Sequence, residues 1–213
     1  MKAADAASRR TARGTATRAR ILDSAAELVQ VGGVTATTLD AVLAASGTSK
    51  SQLYHSFRDK DDLILAVVRR QTERVLASQE PYLHDLDSIG GLRRWGEALV
   101  ELQRRHACAG GCPIGSLVAQ LAESPRPRAV LAESFHEWES YLVVGFRAMR
   151  DRGELTPGTD PEELATTVMA AVQGGLLLTQ ATRTTRPLEL ALRMAFDHVA
   201  ARVDPQPPGV PPV

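Results

Sequence analysis

Residues 37–57 read TTLDAVLAASGTSKSQLYHSF, and this stretch decides the fold of the chain. Apolar residues at helical spacing predict two short helices, at 38–45 and 49–57, with a tight turn at 46–48 between them. This spacing is typical of a helix-turn-helix, in which the first helix lies across the second and leaves the outer face of the second free. Because the major groove of B-DNA is wide enough for one α-helix, the pattern indicates a unit that reads duplex DNA.

The second of these helices has an apolar inner face and a polar outer face. Leu53 and Phe57 lie one turn apart and anchor the inner face. On the outer face, Lys50 and Gln52 have the length and the hydrogen-bond donors to reach base edges. Other polar groups near the helix ends can hold phosphates. The predicted DNA-binding residues are Ser49, Lys50, Ser51, Gln52, Tyr54 and His55 of the second helix, with Thr38 and Lys60. Of these, Thr38, Tyr54 and Lys60 are expected at the phosphates.

The rest of the chain also has apolar residues at helical spacing, and no segment shows the sustained alternation of a strand. A first helix with an apolar stripe at 21–29 ends at Gly32-Gly33. Side-chain caps are predicted at a capping box from Thr37 to Asp40, at Ser49 and at Asp59. Further helices are predicted at about 60–79, 89–107, 113–123, 125–152, 161–181 and 187–203.

Composition and charge narrow the class of protein. With 213 residues, 44% hydrophobic and 23% charged, the chain has ordinary globular composition. Residues 1–60 carry nine Lys or Arg and five acids, whereas the remaining 153 carry sixteen and twenty. A basic end on an acidic body is expected when one end meets a polyanion, although an accidental asymmetry gives the same numbers. Two cysteines and a start without an apolar block favour a cytoplasmic protein over a secreted one.

The stretch from Thr17 to Leu65 closely resembles the DNA-binding domain of TetR-family transcriptional regulators. The matching residues are Ile21-Leu22, Ala25-Ala26, Gly32-Gly33, Thr37-Thr38, the run from Ser46 to Phe57, Lys60 and Leu63. Three positions depart from the family pattern: Thr48 stands where an apolar residue is usual, Ser51 where glycine is frequent and Ser56 where an aromatic residue is common.

The resemblance implies a dimeric repressor of palindromic operator DNA, whose C-terminal domain binds an unidentified small effector that releases the DNA. The expected fold is all-α, with an N-terminal three-helix helix-turn-helix domain and a C-terminal helical effector-binding and dimerisation domain, about nine helices in all. We expect a disordered basic arm at 1–16, the DNA-binding domain at 17–62, the C-terminal domain at 63–203 and a disordered proline-rich tail at 204–213. The arm either follows the minor groove or is simply solvated.

Aromatic residues of the C-terminal half are the candidates for an effector pocket. Phe135, Trp138 and Tyr141 form a stripe on one predicted helix, which suits a planar or apolar ligand, although such stripes more often simply pack. The run at 111–117 resembles a signature of a TetR subgroup that includes lincomycin-resistance-type repressors, and in the family this segment borders the effector cavity. The predicted ligand-binding residues are Trp95, His106, Phe135, Trp138, Tyr141 and Gln173.

Cys108 and Cys112 lie in a glycine-rich connection close to His106. A structural zinc site needs four ligands, so this set is incomplete and no metal is expected. A reversible disulfide across the loop is the redox alternative. The favoured interpretation is two small buried residues.

The last two predicted helices are the expected dimer interface. The segment 164–182 is uncharged and contains Ala170, Ala171, Gly174 and Gly175, which allow close helix approach; an intrachain core helix is the alternative. Its length approaches that of a membrane span, but its threonines and glutamines argue for burial within protein.

The chain lacks the sequence signatures of common enzymes. It contains no Walker loop, no H-E-x-x-H and no G-x-S-x-G, so neither catalysis nor a cofactor is expected. Two alternatives stay open beside a ligand-controlled repressor. One is a DNA-binding regulator switched by a protein partner or by cysteine oxidation, and the other is an enzyme with a dispensable DNA-binding domain.

Overall fold

The computed structural model describes the backbone of residues 2–204 and the side chains of residues 13–204. Within this part of the chain the fold is all-α, as predicted, with a short 3-10 turn at Tyr82–His84. The helices are α1 (Lys2–Ala36), α2 (Leu39–Ser46), α3 (Lys50–Ser56), α4 (Lys60–Ala77), α5 (Ile89–Arg105), α6 (Gly115–Leu121), α7 (Pro125–Asp151), α8 (Pro161–Thr182) and α9 (Arg186–Ala200).

The predicted helix bounds agree with the structure to within about three residues from α2 onward. The caps explain this agreement, because side chains fix where several helices begin. Asp59 accepts a hydrogen bond from the backbone amide of Asp62 at 2.7 Å, and Asp160 accepts one from the amide of Glu162 at 2.9 Å. Pro161 follows at the first helical position, where no backbone donor is lost.

The N-terminal arm differs from the prediction. Residues 1–16 were expected to be disordered, but the backbone is helical from Lys2 onward. Four of residues 3–7 are alanine, the strongest helix former, and the first proline is Pro81. Local helix propensity therefore outweighs the polar composition of this segment.

A kink divides the C-terminal end of α1. Gly33 has φ 79° and ψ 172°, a backbone conformation that is open almost only to glycine, so the regular helix breaks there as predicted. Thr37 donates its hydroxyl to the Gly33 carbonyl at 2.8 Å, and this hydroxyl does not cap α2. The N-cap of α2 is instead Thr38, whose hydroxyl accepts from the Ala41 amide at 3.1 Å. The predicted capping box from Thr37 to Asp40 is therefore wrong: the N-cap lies one residue later, and the methyl side chain of Ala41 cannot return the hydrogen bond that would complete a box.

The chain divides into two compact units. The first combines residues 1–74 with 117–132, and the second combines 75–116 with 133–213. The predicted domain boundary between residues 62 and 63 remains a prediction, because this division reflects packing and not function. The disordered tail was predicted at 204–213, and residues 205–213 lie outside the described part of the chain. Its first residue, Asp204, donates its backbone amide to the Glu154 carbonyl at 2.7 Å.

The core of the first unit forms where α1 packs on α2 and α3. Ion pairs also join α1 to α4: Asp23 accepts hydrogen bonds at 2.9 Å from both Arg70 and Arg74. The buried apolar side chains of this core include Ile21, Ala25, Val42, Leu53, Phe57, Leu63 and Val67.

The second unit is built around α9, which packs on both α8 and α5. Gly96 permits a close approach of α5 to α9, because a Cβ there would lie 2.7 Å from the ring of Phe196. Trp95, the residue before Gly96 on α5, is fully buried and donates its indole N–H to Gln79 at 2.8 Å. A well-packed α5–α9 contact thus supports the C-terminal part of the chain.

Candidate nucleic-acid interface

The first turn of α3 is held by a reciprocal capping box. The Ser49 hydroxyl accepts from the Gln52 amide at 3.2 Å, and the Ser49 amide donates to Gln52 Oε1 at 2.9 Å. Two backbone donors that a helix start leaves unpaired are satisfied in this way. The start of α3, where the predicted base-reading residues cluster, is therefore conformationally fixed.

The two faces of α3 differ sharply in burial. Leu53 and Phe57 are 0% and 1% exposed, whereas Tyr54 is 48% exposed. The buried side is covered in part by Arg18 of α1, whose guanidinium carbon lies 4.7 Å from the centre of the Phe57 ring. Of the predicted DNA-binding residues, Lys60 is half-buried, and Thr38, Ser49, Lys50, Ser51, Gln52, Tyr54 and His55 are exposed.

The turn between α2 and α3 explains one departure from the family pattern. Gly47 adopts the left-handed conformation, with φ 61°, that ends α2. The hydroxyls of Ser46 and Thr48 then lie 2.7 Å apart and share a hydrogen bond. The polar side chain of Thr48 is therefore tolerated in the turn, because its hydroxyl has a hydrogen-bond partner in Ser46. Ser46 itself is nearly fully buried.

Arg18 is a candidate interface residue that the sequence pattern did not single out. It is exposed on α1 and lies over the ring of Phe57, the C-cap residue of α3. The only signal in the sequence was the arginine-rich start of the chain, which does not identify one position. By contrast, Arg70 is engaged elsewhere, since hydrogen bonds to Asp23 and Glu73 raise the pKa of its guanidinium above the usual value.

The structure does not bring the six predicted ligand-binding residues together through the contacts it describes. Trp95 bonds to Gln79, Tyr141 stacks edge-on against His84 with ring centres 5.5 Å apart, and Gln173 lies 3.7 Å from the sulfur of Met169. His106 is exposed and Phe135 is half-buried. These residues therefore remain candidates on an individual basis.

Two buried polar atoms in the second unit have no hydrogen-bond partner among the described residues. They are the indole Nε1 of Trp138, a side chain that is 2% exposed, and Oε1 of Gln103, which is 5% exposed. An unpaired buried polar group costs about 1–3 kcal/mol, so such groups usually meet water or a ligand. Of the six candidates, Trp138 is the one with this signal.

The second unit also contains a groove of about 420 Å³ between α5 and α9. Its floor is apolar, formed by Val100, Leu192 and Phe196, and charged side chains of both signs line its rim. The six predicted ligand-binding residues do not line this groove.

Two family models match the chain. The model described as "Tetracyclin repressor-like, C-terminal domain" matches residues 89–195, about half of the chain, and the one described as "Bacterial regulatory proteins, tetR family" matches residues 21–67. The chain belongs to the TetR family. Its helix-turn-helix is therefore the DNA-binding element of a transcriptional regulator.

Known transcriptional regulators match along most of the chain. AcuR of Cereibacter sphaeroides is 27% identical over 173 residues, covering 80% of this chain and 79% of AcuR. LmrA of Bacillus subtilis is 28% identical over 177 residues, covering 80% of this chain and 90% of LmrA. The crystal structure of a TetR regulator from Chloroflexus aurantiacus superposes with a TM-score of 0.75 at 25% identity, covering 90% of this chain and 98% of that one.

The two cysteines of this TetR-family chain are both buried, at 5% and 7% exposure. Burial raises the pKa of the Cys112 thiol, and Cys112 Sγ accepts a hydrogen bond from the Gly115 amide at 3.3 Å. A protonated, buried thiol is a poor nucleophile. Within the described residues there is no group of three or more His, Cys, Asp or Glu that could hold a metal ion.

Helix α8 of the TetR-family chain is long and apolar enough to cross a membrane by length and composition alone. In its most apolar window 44% of the residues are buried inside the protein. Core helices of water-soluble proteins share these properties, so the observation is weak evidence for a span.

Proposed function

We propose that this TetR-family regulator is a repressor that binds a palindromic operator as a dimer and is released by a small molecule. The observation that carries the proposal is α3 itself, a rigidly capped helix with a polar, exposed outer face. Because its apolar anchors are buried, this outer face is available to enter a major groove.

The proposed contacts divide into base reading and backbone anchoring. Lys50 and Gln52 read base edges, and the cap supports this assignment for Gln52. Its Oε1 already accepts from the Ser49 amide, so its NH₂ group is the end that donates to a base. Ser51 and His55 flank them on the exposed face. Thr38, Tyr54 and Lys60 hold phosphates, together with arginines of the N-terminal arm.

Dimerisation through α8 and α9 is supported by exposed apolar side chains on both helices. Leu177 and Met194 are each 66% exposed, Leu178 is 55% exposed and Leu190 is 43% exposed. Large apolar side chains in this number on neighbouring helices indicate a surface that a second copy covers. Two recognition helices in one dimer are also what successive major grooves of an operator require.

The effector site is proposed within residues 83–178, with Trp138 as its best supported member. An indole N–H that is buried without a hydrogen-bond partner among the described residues suits a ligand that brings an acceptor to that nitrogen. Binding there shifts the dimer between a state that fits the operator and one that does not, so the two sites are energetically coupled.

The alternative is control by a protein partner or by cysteine oxidation. Burial of both thiols and the raised pKa of Cys112 favour the small molecule over oxidation. Thermal melts across a panel of metabolites, with and without dithiothreitol, separate the two, because a ligand of the native state raises the melting temperature. A shift that depends only on the reductant would support oxidation instead.

The test of the DNA-binding assignment is a Lys50→Ala/Tyr54→Ala double variant. The probe is a duplex that the wild-type protein selects from a random-sequence library. Loss of a base contact and a phosphate contact in each half-site lowers affinity by roughly 100-fold. An Arg105→Ala/Tyr82→Ala variant, which removes an exposed cation and an exposed tyrosine from the second unit, serves as the control. Wild-type affinity of the folded Lys50/Tyr54 variant would refute the role of α3.

A further inference from the structure

The kink at Gly33 brings the next backbone amide to an unusual partner. In regular helix the Val34 amide would bond to a carbonyl one turn back, but the extended ψ of Gly33 removes it from helical geometry. The amide instead donates to Oε1 of Gln120 on α6 at 2.7 Å. Gln120 lies 86 residues further along the chain, within the same compact unit.

The contact between Gln120 and the kink depends on the oxygen atom. A Cβ added at Gly33 would lie 2.7 Å from the same Oε1, so this oxygen sits directly against the glycine. Gln120 is exposed and Val34 is half-buried, so little apolar area is involved. The interaction is therefore mainly a hydrogen bond with well-defined geometry.

From the kink, short contacts lead to the proposed phosphate-binding end of α2. The Gly33 carbonyl accepts from the hydroxyl of Thr37, which is 3% exposed, and Thr38 follows as the N-cap. Gln120, Gly33 and Thr37 together fix the direction in which the chain enters α2. A change in that direction would displace the Thr38 hydroxyl and the first backbone amides of α2. These are the groups that would bind a phosphate.

We propose that Gln120 is a positioning residue for DNA binding, which holds the α1 kink so that Thr38 and the start of α2 meet the DNA backbone. This inference rests on the proposed function. It adds a residue outside the helix-turn-helix, on α6, to the set that determines operator affinity. Gln120 does not itself contact DNA; it acts through the backbone of Val34.

The test compares a variant that removes the acceptor with one that keeps it. Gln120→Met retains the length of the side chain but not the oxygen. Gln120→Glu keeps the oxygen but adds a charge that DNA would repel, so it is combined with Glu123→Gln, an exposed neighbour, to restore the net charge. Glu123→Gln alone is the matched control. The probe is the duplex selected by the wild-type protein, and melting temperatures are measured in parallel.

We expect Gln120→Met to bind the duplex roughly three- to tenfold more weakly, as the loss of one hydrogen bond predicts, and Gln120→Glu/Glu123→Gln, which has the wild-type net charge, to match the wild-type protein within about twofold. Combined with Thr38→Ala, Gln120→Met should then have little further effect, because both changes remove the same phosphate contact.

Wild-type affinity of Gln120→Met overturns the inference. Equal weakening by the Glu variant overturns it too, since an acceptor would then not suffice, and additive losses with Thr38→Ala refute the route through α2. Failure of the wild-type protein to select any duplex is a different result, which refutes the proposed function and the inference with it.

Discussion

Adjacent glycines at the end of α1 have opposite roles. Gly33 has φ 79° and ψ 172°, which a side chain makes strained, and its Cβ position is occupied by Gln120 Oε1. Gly32 is helical, and a Cβ there would meet only the Cβ of Ala36 at an ordinary 3.5 Å. The sequence GG alone predicted a helix end but did not distinguish the two residues.

We predict opposite effects of alanine at these two positions. Gly33→Ala should lower the free energy of unfolding by about 1–3 kcal/mol, because the backbone must hold a conformation that alanine disfavours. Gly32→Ala should raise it by about 0.5–1 kcal/mol through higher helix propensity. Urea denaturation followed by circular dichroism measures both. Stabilisation of similar size by both substitutions would show that Gly33 is helical in solution and that the kink is absent.

At the scale of single helices, prediction worked where the deciding contacts are local. The caps at Ser49 and Asp59 lie within three residues of their partners, so spacing identified them. It failed at Thr37 and Thr38, since either threonine can cap α2 and the Gly33 carbonyl decides between them. The contact of Gln120 with Val34 could not be predicted from local spacing, because the two residues are 86 positions apart in the sequence.

The capping box of α3 predicts the stability effect of serine substitutions. Ser49→Ala removes the acceptor for the Gln52 amide and should cost about 1 kcal/mol of unfolding free energy. Ser51→Ala, on the exposed face of the same helix, should change it by less than about 0.5 kcal/mol. Chemical denaturation of the two variants without DNA provides the comparison. Indistinguishable midpoints would mean that the box does not stabilise α3.

At the scale of the whole molecule, the pattern of the sequence predicted the all-α class, the order of the helices and the exposed outer face of α3. It also gave the apolar character of α8. It did not assemble the six aromatic and polar ligand candidates into one pocket, because helical periodicity indicates which side of a helix is buried but not which residues of other helices it meets. For the same reason, the sequence pattern does not identify which residues of a second copy would contact α8 and α9.

The exposed apolar side chains of α8 and α9 predict how to make a monomer. Leu177→Arg combined with Met194→Arg places charges on the proposed interface and should shift the protein from dimer to monomer in sedimentation velocity experiments. Operator affinity should fall with it, because one recognition helix then binds alone. Val144→Arg on α7, also 66% exposed in the isolated chain, is the control and should stay dimeric. A dimeric double variant would place the interface elsewhere.

The proposed double use of Gln52, in the cap of α3 and at a base, limits how this regulator can change its target. Any residue placed there to prefer another base must also replace the oxygen that receives the Ser49 amide, so a new preference would come with a frayed leading turn. Lys50 and Ser51 are under no such constraint from the cap. Retargeting by directed evolution should therefore accumulate changes at these neighbours first, and reach position 52 only together with a compensating change at position 49.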